Sequence, residues 1–242
     1  MIITLNEERN IADCIRSVID LVDDVMVVDA NSEDSTVKIA EALGAKVYTN
    51  NWVSYGDQKN IGAQRSATDW ILSIDADERV DEDLKETLLN LQLEQDKIYA
   101  LNVKTNYLGK WIRYCGWYPS YKKRLYNKQI SKWNNDLVHE QLISNSKLEV
   151  KRLAGNLLHY SYPSLERHHQ KIHDYARLTA EKWMLQNKKP GVLKKIFGPS
   201  FRFVKTYFFK LGMLDGREGF LISKMSFLLV KKQLKYFKKL EK

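Results

Sequence analysis

Two aspartates, Asp75 and Asp77, have the type and spacing of residues that bind a divalent cation. They directly follow the apolar run at 70–74, which has the length and composition of a buried strand. Side chains two residues apart in an extended chain point to the same side, so both carboxylates could reach one cation, directly or through water. The alternative is an acidic turn whose carboxylates cap a helix or are solvated.

Polar and acidic residues also follow two earlier apolar runs, at 1–4 and 25–28. Repeated apolar spacing predicts helices between these runs, and alternating strands and helices favour an α/β fold with a mostly parallel sheet. Because the carboxyl ends of parallel strands meet at one edge of such a sheet, we expect the three acidic segments to form one rim. Such a rim needs a cation or a donor-rich ligand to offset the repulsion between its carboxylates.

The elements that must position this rim are predicted from the spacing of the apolar residues. The pattern predicts strands at 1–4, 25–28, 46–48 and 70–74, and helices at about 8–21, 34–43, 58–66 and 84–91. A strand at 123–126 should lead into a turn at 127–128.

The net charge of +9 is unevenly distributed along the 242 residues. Residues 1–187 hold 24 Lys and Arg against 27 Asp and Glu, whereas residues 188–242 hold 15 against 3. Aromatic and aliphatic residues are interleaved with the cations of this basic tail, which is typical of an amphipathic helix on an anionic membrane surface. Two other readings are a helix that covers the main domain and a nucleic-acid-binding segment; we expect membrane contact and no nucleic acid.

The cysteine count and the first residues bear on the compartment. Two scattered cysteines, Cys14 and Cys115, do not make a disulfide framework and suit a reducing cytoplasm. No charged and then apolar leader is apparent at the start. We therefore expect a cytoplasmic protein, peripheral on the inner face of the plasma membrane.

Taken in order, five segments resemble the family 2 glycosyltransferases of the GT-A nucleotide-diphospho-sugar fold, especially lipopolysaccharide core glucosyltransferases of the WaaE/KdtX type. The segments are Thr4–Glu8, Val28–Thr36, Gly56–Asn60, Asp75–Glu78 and Val138–Glu140. The resemblance covers about residues 1–165 and implies a GT-A domain there, with a nucleotide-binding half at about 1–100 and an acceptor half at about 101–165. Residues 166–242 would then form a basic, amphipathic helical extension.

The resemblance implies inverting transfer of a sugar, such as glucose, from a UDP-sugar to a hydroxyl of a lipid-linked or lipopolysaccharide-type acceptor. It also implies a role for each matching residue. The nucleoside pocket would comprise Thr4, Asn6, Glu8 and Asp29, with Lys59 near the nucleotide, Asp75 at the ribose or metal, and Asp77 holding Mg²⁺ or Mn²⁺. Some GT-A enzymes use a histidine from the C-terminal side as a further metal ligand, for which His159 is the candidate.

A carboxylate near the acceptor oxygen can remove its proton during transfer, and Glu140 is our candidate for this base. Many family members carry a Glu-Asp pair at this position, whereas this sequence has His139 and Glu140, so Asp136 is the fallback. An ordinary ion pair with a nearby Lys or Arg is the other reading of Glu140. Arg124, in the aromatic and cationic middle segment, is the candidate cation for a phosphate or carboxylate.

Two other functions explain part of the sequence. A sugar-1-phosphate nucleotidyltransferase uses a similar sheet, but it carries a glycine-rich loop after its first strand, and residues 4–8 contain no glycine. A non-catalytic protein that binds membranes or nucleic acid would explain the basic tail but not the acidic rim.

Overall fold

The computed structural model describes residues 1–134, 136, 140–144 and 147–241. The chain packs as two compact units. Unit 1 comprises Met1–Val103 and Ser120–His159, and unit 2 comprises Lys104–Pro119 and Tyr160–Lys242. The segment 104–119, which the sequence analysis placed in the acceptor half, thus packs with the C-terminal helices. The reason is a set of backbone contacts within unit 2, such as the hydrogen bond that the Cys115 N–H donates to the Lys210 carbonyl (2.9 Å).

The elements follow one another in the alternating order that the sequence predicts over its first ninety residues. The strands are β1 (Ile2–Thr4), β2 (Met26–Asp29), β3 (Lys46–Thr49), β4 (Trp70–Leu72), β5 (Ile74–Asp75), β6 (Glu78–Val80), β7 (Lys97–Tyr107), β8 (Lys110–Trp111), β9 (Tyr121–Asn127), β10 (Ser131–Trp133), β11 (Leu142–Ser144) and β12 (Glu149–Tyr162). The helices are α1 (Ile11–Val18), α2 (Thr36–Ala42), α3 (Tyr55–Arg65), α4 (Glu82–Leu89), α5 (Leu165–Leu185), α6 (Val192–Val204) and α7 (Gly216–Leu240). Short helical segments lie at Ile19–Leu21, Lys205–Phe209 and Gly212–Asp215.

The first sheet is parallel, with strand order β3-β2-β1-β5. Successive residues of its strands pack into different clusters: Ile2 and Val27 lie with the buried residues of α1, whereas Ile3 and Val28 lie with Ala63 of α3. Because successive side chains of a strand point to opposite faces, helices therefore cover both faces of this sheet, as the sequence predicts.

The predicted single strand at 70–74 is wrong, because the chain changes sheets at Ser73. Residues 70–72 form β4, which pairs antiparallel with β9 in a second sheet of order β4-β9-β7-β12-β6. Residues 74–75 form β5, which pairs parallel with β1 in the first sheet. The Ser73 N–H donates to the Arg124 carbonyl at 2.7 Å, and the Ile74 N–H donates to the Met1 carbonyl at 3.1 Å, so the backbone hydrogen bonds switch partners within one residue.

Unit 2 has its own small core, built from segment 104–119 and the C-terminal helices. Tyr107, Ile112, Cys115 and Ile222 are buried together there. Within the part of the chain that the structure describes, no helix is long and apolar enough to cross a bilayer.

His168 is a buried, neutral histidine of unit 2. Its Nδ1 and the hydroxyl of the fully buried Tyr107 are hydrogen-bonded at 2.9 Å. Burial, helped by the nearby charges of His169 and Lys171, lowers the pKa of His168 to about 4. The unfolded chain therefore takes up this proton at higher pH than the folded chain, and the folded state loses stability as the pH falls below about 6.5.

We expect the free energy of unfolding to fall by about 2.5 kcal/mol between pH 7 and pH 4.5 on account of His168 alone. Urea unfolding of the wild type and of His168→Asn at both pH values measures this contribution. The variant should lose less stability over the same interval, by about that amount. Equal losses in the two proteins would show that His168 is not held neutral by the fold.

Candidate active site

Three strand ends that the sequence analysis singled out lie side by side. Thr4 of β1 is in register with Asp29 of β2, and Ile3 of β1 is in register with Asp75 of β5. Thr4 and Asp29 are buried, and the Thr4 hydroxyl has no hydrogen-bond partner among the described residues. An unsatisfied buried hydroxyl is uncommon in a folded protein. The predicted rim therefore exists, and it lies at the carboxyl ends of the parallel strands.

The loops that follow β1 and β2 are joined by hydrogen bonds between them. The Asn6 N–H donates to Ser32 Oγ at 2.8 Å, and Asn6 Oδ1 accepts from the Glu33 N–H at 2.8 Å. Glu8 Oε2 accepts from the Ser35 N–H at 3.1 Å. The side chains of Asn6 and Glu8 thus hold the neighbouring loop, in addition to any contact with a nucleoside.

The carboxylate of Asp29 is held by the same loop. It accepts hydrogen bonds from both the N–H and the hydroxyl of Ser32. Asp29 therefore closes the turn after β2 and fixes the position of the loop that pairs with residues 6–8.

Arg124 of β9 is buried between two carboxylates of the Asp75–Glu78 segment. Its Nη2 lies 2.9 Å from Asp75 Oδ2 and 2.5 Å from Glu78 Oε1, and its Nη1 lies 3.3 Å from Asp75 Oδ1. Glu78 also accepts a hydrogen bond from the Asp75 N–H at 2.8 Å. The side chain of Arg124 is only 8% exposed. Its visible role is therefore to fix this acidic turn rather than to reach outward for a phosphate.

The charges of this cluster decide the protonation of its carboxylates. Burial by itself raises the pKa of Asp75, but Arg124 and then Lys59 hold it well below its usual value. Burial raises the pKa of Glu78, an effect that Arg124 opposes and the charge of Asp75 reinforces. Burial likewise disfavours charged Arg124, yet Asp75 and Glu78 raise its pKa above the usual range. Asp75 is therefore the firmly ionised member of the pair.

Lys59 connects Asp75 to the candidate base. Its Nζ lies 2.8 Å from Glu140 Oε1 and 3.7 Å from Asp75 Oδ1, and 4.5 Å from the centre of the Trp133 ring. The side chain is 2% exposed although it carries a charge, which is rare unless the charge is paired. Lys59 can reach this position because Gly56, one turn earlier in α3, packs tightly against the chain; a Cβ there would lie 2.1 Å from the Asn134 carbonyl oxygen.

The structure is compatible with both interpretations of Glu140, as a catalytic base and as a member of an ion pair. Glu140 does pair with a cation, as the simpler reading expected, and it is partly exposed beside the rim, as a base must be. The fallback, Asp136, is exposed. Val138 and His139 of the same motif lie outside the described residues.

The expectation that Asp75 and Asp77 project to the same side is wrong. Asp75 ends β5, and Asp77 lies in the turn that leads into β6, so the two carboxylates are not two steps apart in an extended strand. Asp75 contacts Arg124 and Lys59, whereas Asp77 Oδ2 lies 3.2 Å from Nε2 of His159.

His159 lies beside Asp77 because β12 pairs with β6, with His159 in register with Glu78. Burial by itself lowers the pKa of His159, but Asp77, assisted by Glu78 and Asp75, holds it above its usual value. The pair sits in a partly exposed position, with side-chain exposures of 24% for His159 and 16% for Asp77. The structure thus brings together the two residues that were nominated as metal ligands.

The donor set fits a metal that takes part of its coordination from a substrate. Across the described residues, no group of three or more His, Cys, Asp or Glu side chains could hold a metal ion. Asp77 and His159 can supply one oxygen and one nitrogen, and Mg²⁺ is usually bound by one or two carboxylates together with substrate phosphates and water. These residues therefore suit a cation shared with a diphosphate, and not a cation held by the protein alone.

Sequence reasoning missed the role of Glu78 and the burial of Lys59 and Arg124. Glu78 is 1% exposed and completes the ion-pair cluster. Two aromatic residues of the middle segment, Tyr107 and Trp133, are buried in the cores of units 2 and 1 respectively. Trp111 is more accessible and lines a cavity of unit 2 with Lys110 and Arg113.

The parallel sheet with acidic residues at its strand ends agrees with the GT-A fold that the sequence motifs implied. The model of the family described as "Glycosyl transferase family 2" matches residues 1–149, and the chain belongs to this family. The GT-A fold and the family that the sequence motifs implied are thereby confirmed.

Relatives match along most of the chain. An uncharacterized glycosyltransferase of Rickettsia typhi is 31% identical over 233 residues, which is 92% of this chain and 80% of the relative. The lipopolysaccharide core biosynthesis glycosyltransferase LpsC of Rhizobium meliloti is 29% identical over 232 residues, covering 91% and 84% of the two chains.

Among solved structures, glucosyl-3-phosphoglycerate synthase of Mycobacterium tuberculosis in complex with Mn²⁺ and UDP-glucose is 26% identical. The match covers 45% of this chain and 42% of that chain, with a TM-score of 0.34. A likeness this partial does not bear on the ligands of this chain.

Replacing Arg124 by Met should destabilise the protein by about 3–5 kcal/mol, because it leaves the buried carboxylate of Glu78 without its cation and removes one of the two cations beside Asp75. Urea or thermal unfolding measures the loss. Lys122→Met, an exposed cation on the same strand, is the matched control and should cost less than about 0.5 kcal/mol. Arg124→Lys retains the charge but not the forked geometry and should fall between the two. If Arg124→Met were as stable as the control, the cluster would not hold the turn.

Proposed function

We propose that this family 2 glycosyltransferase moves a hexose, such as glucose, from a UDP-sugar to an acceptor hydroxyl, with inversion and with Mg²⁺ or Mn²⁺. The observation that carries the proposal is the continuous set of charged contacts from Glu140 through Lys59 and Asp75 to Arg124. This set lies at the strand ends where a sheet of this type binds its ligand. Within this set, Lys59 contacts both Asp75 at the strand end and the partly exposed carboxylate of Glu140.

The residues of the rim have separate tasks in this proposal. Thr4, Asn6, Glu8 and the loop that Asp29 fixes would line the nucleoside pocket. Lys59 would lie near the nucleotide, where it holds Asp75 and Glu140 in position. Asp77 and His159 would hold the cation, which when bound stabilises the negative charge of the departing diphosphate.

Glu140 acts on the acceptor. The acceptor oxygen attacks the anomeric carbon from the face opposite the diphosphate, and the bond to the phosphate oxygen breaks, so the configuration inverts. The proton of the attacking hydroxyl passes to a carboxylate oxygen of Glu140. Lys59 donates to Oε1 of Glu140 at 2.8 Å, and this ion pair would hold the carboxylate in place for the acceptor.

The acceptor in this proposal is a lipid-linked or lipopolysaccharide-type glycan, and the chain acts in the cytoplasm as a peripheral protein of the inner membrane face. The relative LpsC, named for lipopolysaccharide core biosynthesis, supports the acceptor class. The charge of the basic tail supports the proposed membrane location, since residues 188–242 hold 15 Lys and Arg against 3 Asp and Glu. We propose no nucleic-acid partner; salt-dependent binding of nucleic acid without affinity for UDP would favour the non-catalytic alternative.

Metal-dependent donor binding is the first test. For the wild type, we expect Mn²⁺ to increase the affinity for UDP by about tenfold or more in titration calorimetry, because a cation held by Asp77 would offset the negative charge of the diphosphate. Asp77→Asn should bind UDP with the same affinity whether or not Mn²⁺ is added. Asp83→Asn, an exposed aspartate on α4, is the control and should behave as the wild type. A metal effect that survives in Asp77→Asn would remove this residue from the site.

Removal of the base is the second test. Glu140→Gln should bind UDP-glucose within about threefold of the wild type but transfer glucose to a deep-rough lipopolysaccharide at least about 100-fold more slowly, because only proton removal is lost. Radiolabelled transfer measures the rate, and calorimetry measures donor binding. Asp136→Asn is the companion variant and should transfer normally. Normal transfer by Glu140→Gln with loss in Asp136→Asn would assign the base to Asp136.

A further inference from the structure

The exposed apolar side chains of unit 2 are concentrated in one segment, residues 192–214, which comprises α6 and the turns of helix that follow it. All 13 residues of α6 are at least partly exposed. Phe197 and Phe201 are each 60% exposed, and Phe209 is 76% exposed. Single exposed apolar residues are ordinary on a protein surface, whereas a continuous apolar surface marks a contact with a partner or a membrane.

The spacing of these residues shows that they share one face. Leu193, Phe197, Phe201, Val204 and Phe208 recur at intervals of four, four, three and four residues, which is the period of a helix face. Each of the five is exposed. The stripe that would be buried in an ordinary packed helix is therefore open on α6. We call it the α6 apolar face.

The second tail helix, α7, behaves differently. It packs against both α5 and α6, and Ile222, Met225 and Phe237 are buried on it. In the apolar run at 219–230, Ile222 and Met225 are buried, Phe220 is 46% exposed and residues 227–230 are half-buried, so most of this run is at least partly covered. Helix α7 is therefore largely covered within its own unit, whereas α6 is not.

The α6 apolar face is bordered by positive charge. Residues 188–217 carry eight Lys and Arg and a single acidic residue, Asp215. The Asp215 carboxylate is buried and accepts hydrogen bonds from the N–H groups of Arg113 and Tyr114, at 3.2 and 2.8 Å, so it contributes little negative surface. The exposed surface therefore combines apolar side chains with cations such as Lys194, Lys195 and Arg202.

This combination selects one partner. A second copy of the chain would bury the apolar face, but it would bring two basic segments together, and like charges facing each other oppose association. A nucleic acid would pair with the cations and leave the phenylalanines in water. An anionic phospholipid surface provides apolar acyl chains beneath a layer of phosphate groups, and it matches both features.

We propose that the α6 apolar face, continued by Phe209, inserts into the interfacial layer of an anionic phospholipid bilayer, with the neighbouring lysines on lipid phosphates and with α7 outside the contact. The inference rests on the proposed membrane location of the enzyme and not on the identity of its donor or acceptor. A helix of 13 residues is about 20 Å long, which suits a helix that lies in the plane of the surface.

Vesicle sedimentation of the full chain tests the proposal. The wild type should bind vesicles of phosphatidylglycerol and phosphatidylcholine at 3:7 about tenfold or more tightly than pure phosphatidylcholine vesicles, and added salt should weaken the binding. The triple variant Phe197→Gln, Phe201→Gln and Phe209→Gln should lose about tenfold or more in affinity for the anionic vesicles. Lys194→Gln with Lys195→Gln should lower the preference for anionic over neutral vesicles.

The matched control replaces exposed apolar residues that lie elsewhere in the chain. Val53, Leu89 and Leu185 are 62%, 62% and 80% exposed, close to the values of the three phenylalanines, and their triple replacement by Gln should bind vesicles as the wild type does. Equal losses in the two triple variants, or wild-type affinity in the phenylalanine variant, would overturn the proposal. So would dimerisation of the wild type in sedimentation velocity that disappears in the phenylalanine variant.

Calorimetry with UDP and Mn²⁺ on the same preparations separates this proposal from the proposed function. The phenylalanine variant should bind UDP as the wild type does, which also shows that it is folded. If the control triple variant loses vesicle binding but still binds UDP, only the proposed membrane-binding surface is contradicted. If the wild type sediments with vesicles but does not bind UDP, only the proposed use of a UDP-sugar donor is contradicted.

Discussion

The pairing of Arg124 with Asp75 and Glu78 is the interaction on which the site depends. Three carboxylates lie within four residues at 75–78, where the chain leaves the parallel sheet and enters the second sheet. Glu78 is buried and the two aspartates are partly buried, and carboxylates so close together repel one another unless a cation lies between them. Arg124, brought there by the pairing of β9 with β4, supplies that cation at 2.5 and 2.9 Å.

That constraint also separates the tasks of the two aspartates in the acidic turn. Asp75 faces the protein cations Arg124 and Lys59 and is held ionised, while Asp77 faces His159 in a partly exposed position. Asp75 thereby organises the rim, and in the proposed function Asp77 would help to hold the cation. The buried Lys59 contacts both Asp75 and Glu140, so the candidate base is held in place by an ion pair with a residue that also contacts the acidic turn.

The two helices of the basic tail, α6 and α7, differ in how far their apolar residues are buried. Helix α7 buries apolar residues against α5 and α6, whereas α6 leaves its own stripe open beside lysines. Burial of the apolar residues of α7 stabilises unit 2. The apolar surface of α6 stays exposed and, in our proposal, contacts a membrane. Net charge alone does not distinguish the two helices, because both carry cations.

The sequence by itself determined the parallel sheet, the acidic strand ends and the family, because strand and helix periods and residue types are local properties of the chain. It also nominated Asp77 and His159, which the structure places 3.2 Å apart although they are 82 positions apart in the chain. Only the tertiary structure decided that the run 70–74 divides at Ser73 and that Arg124 turns inward to Glu78. It likewise decided that α6, and not α7, exposes its apolar face. Each of these outcomes depends on which distant strand or helix supplies a hydrogen bond, a counter-charge or a packing surface, and local sequence carries no record of that partner.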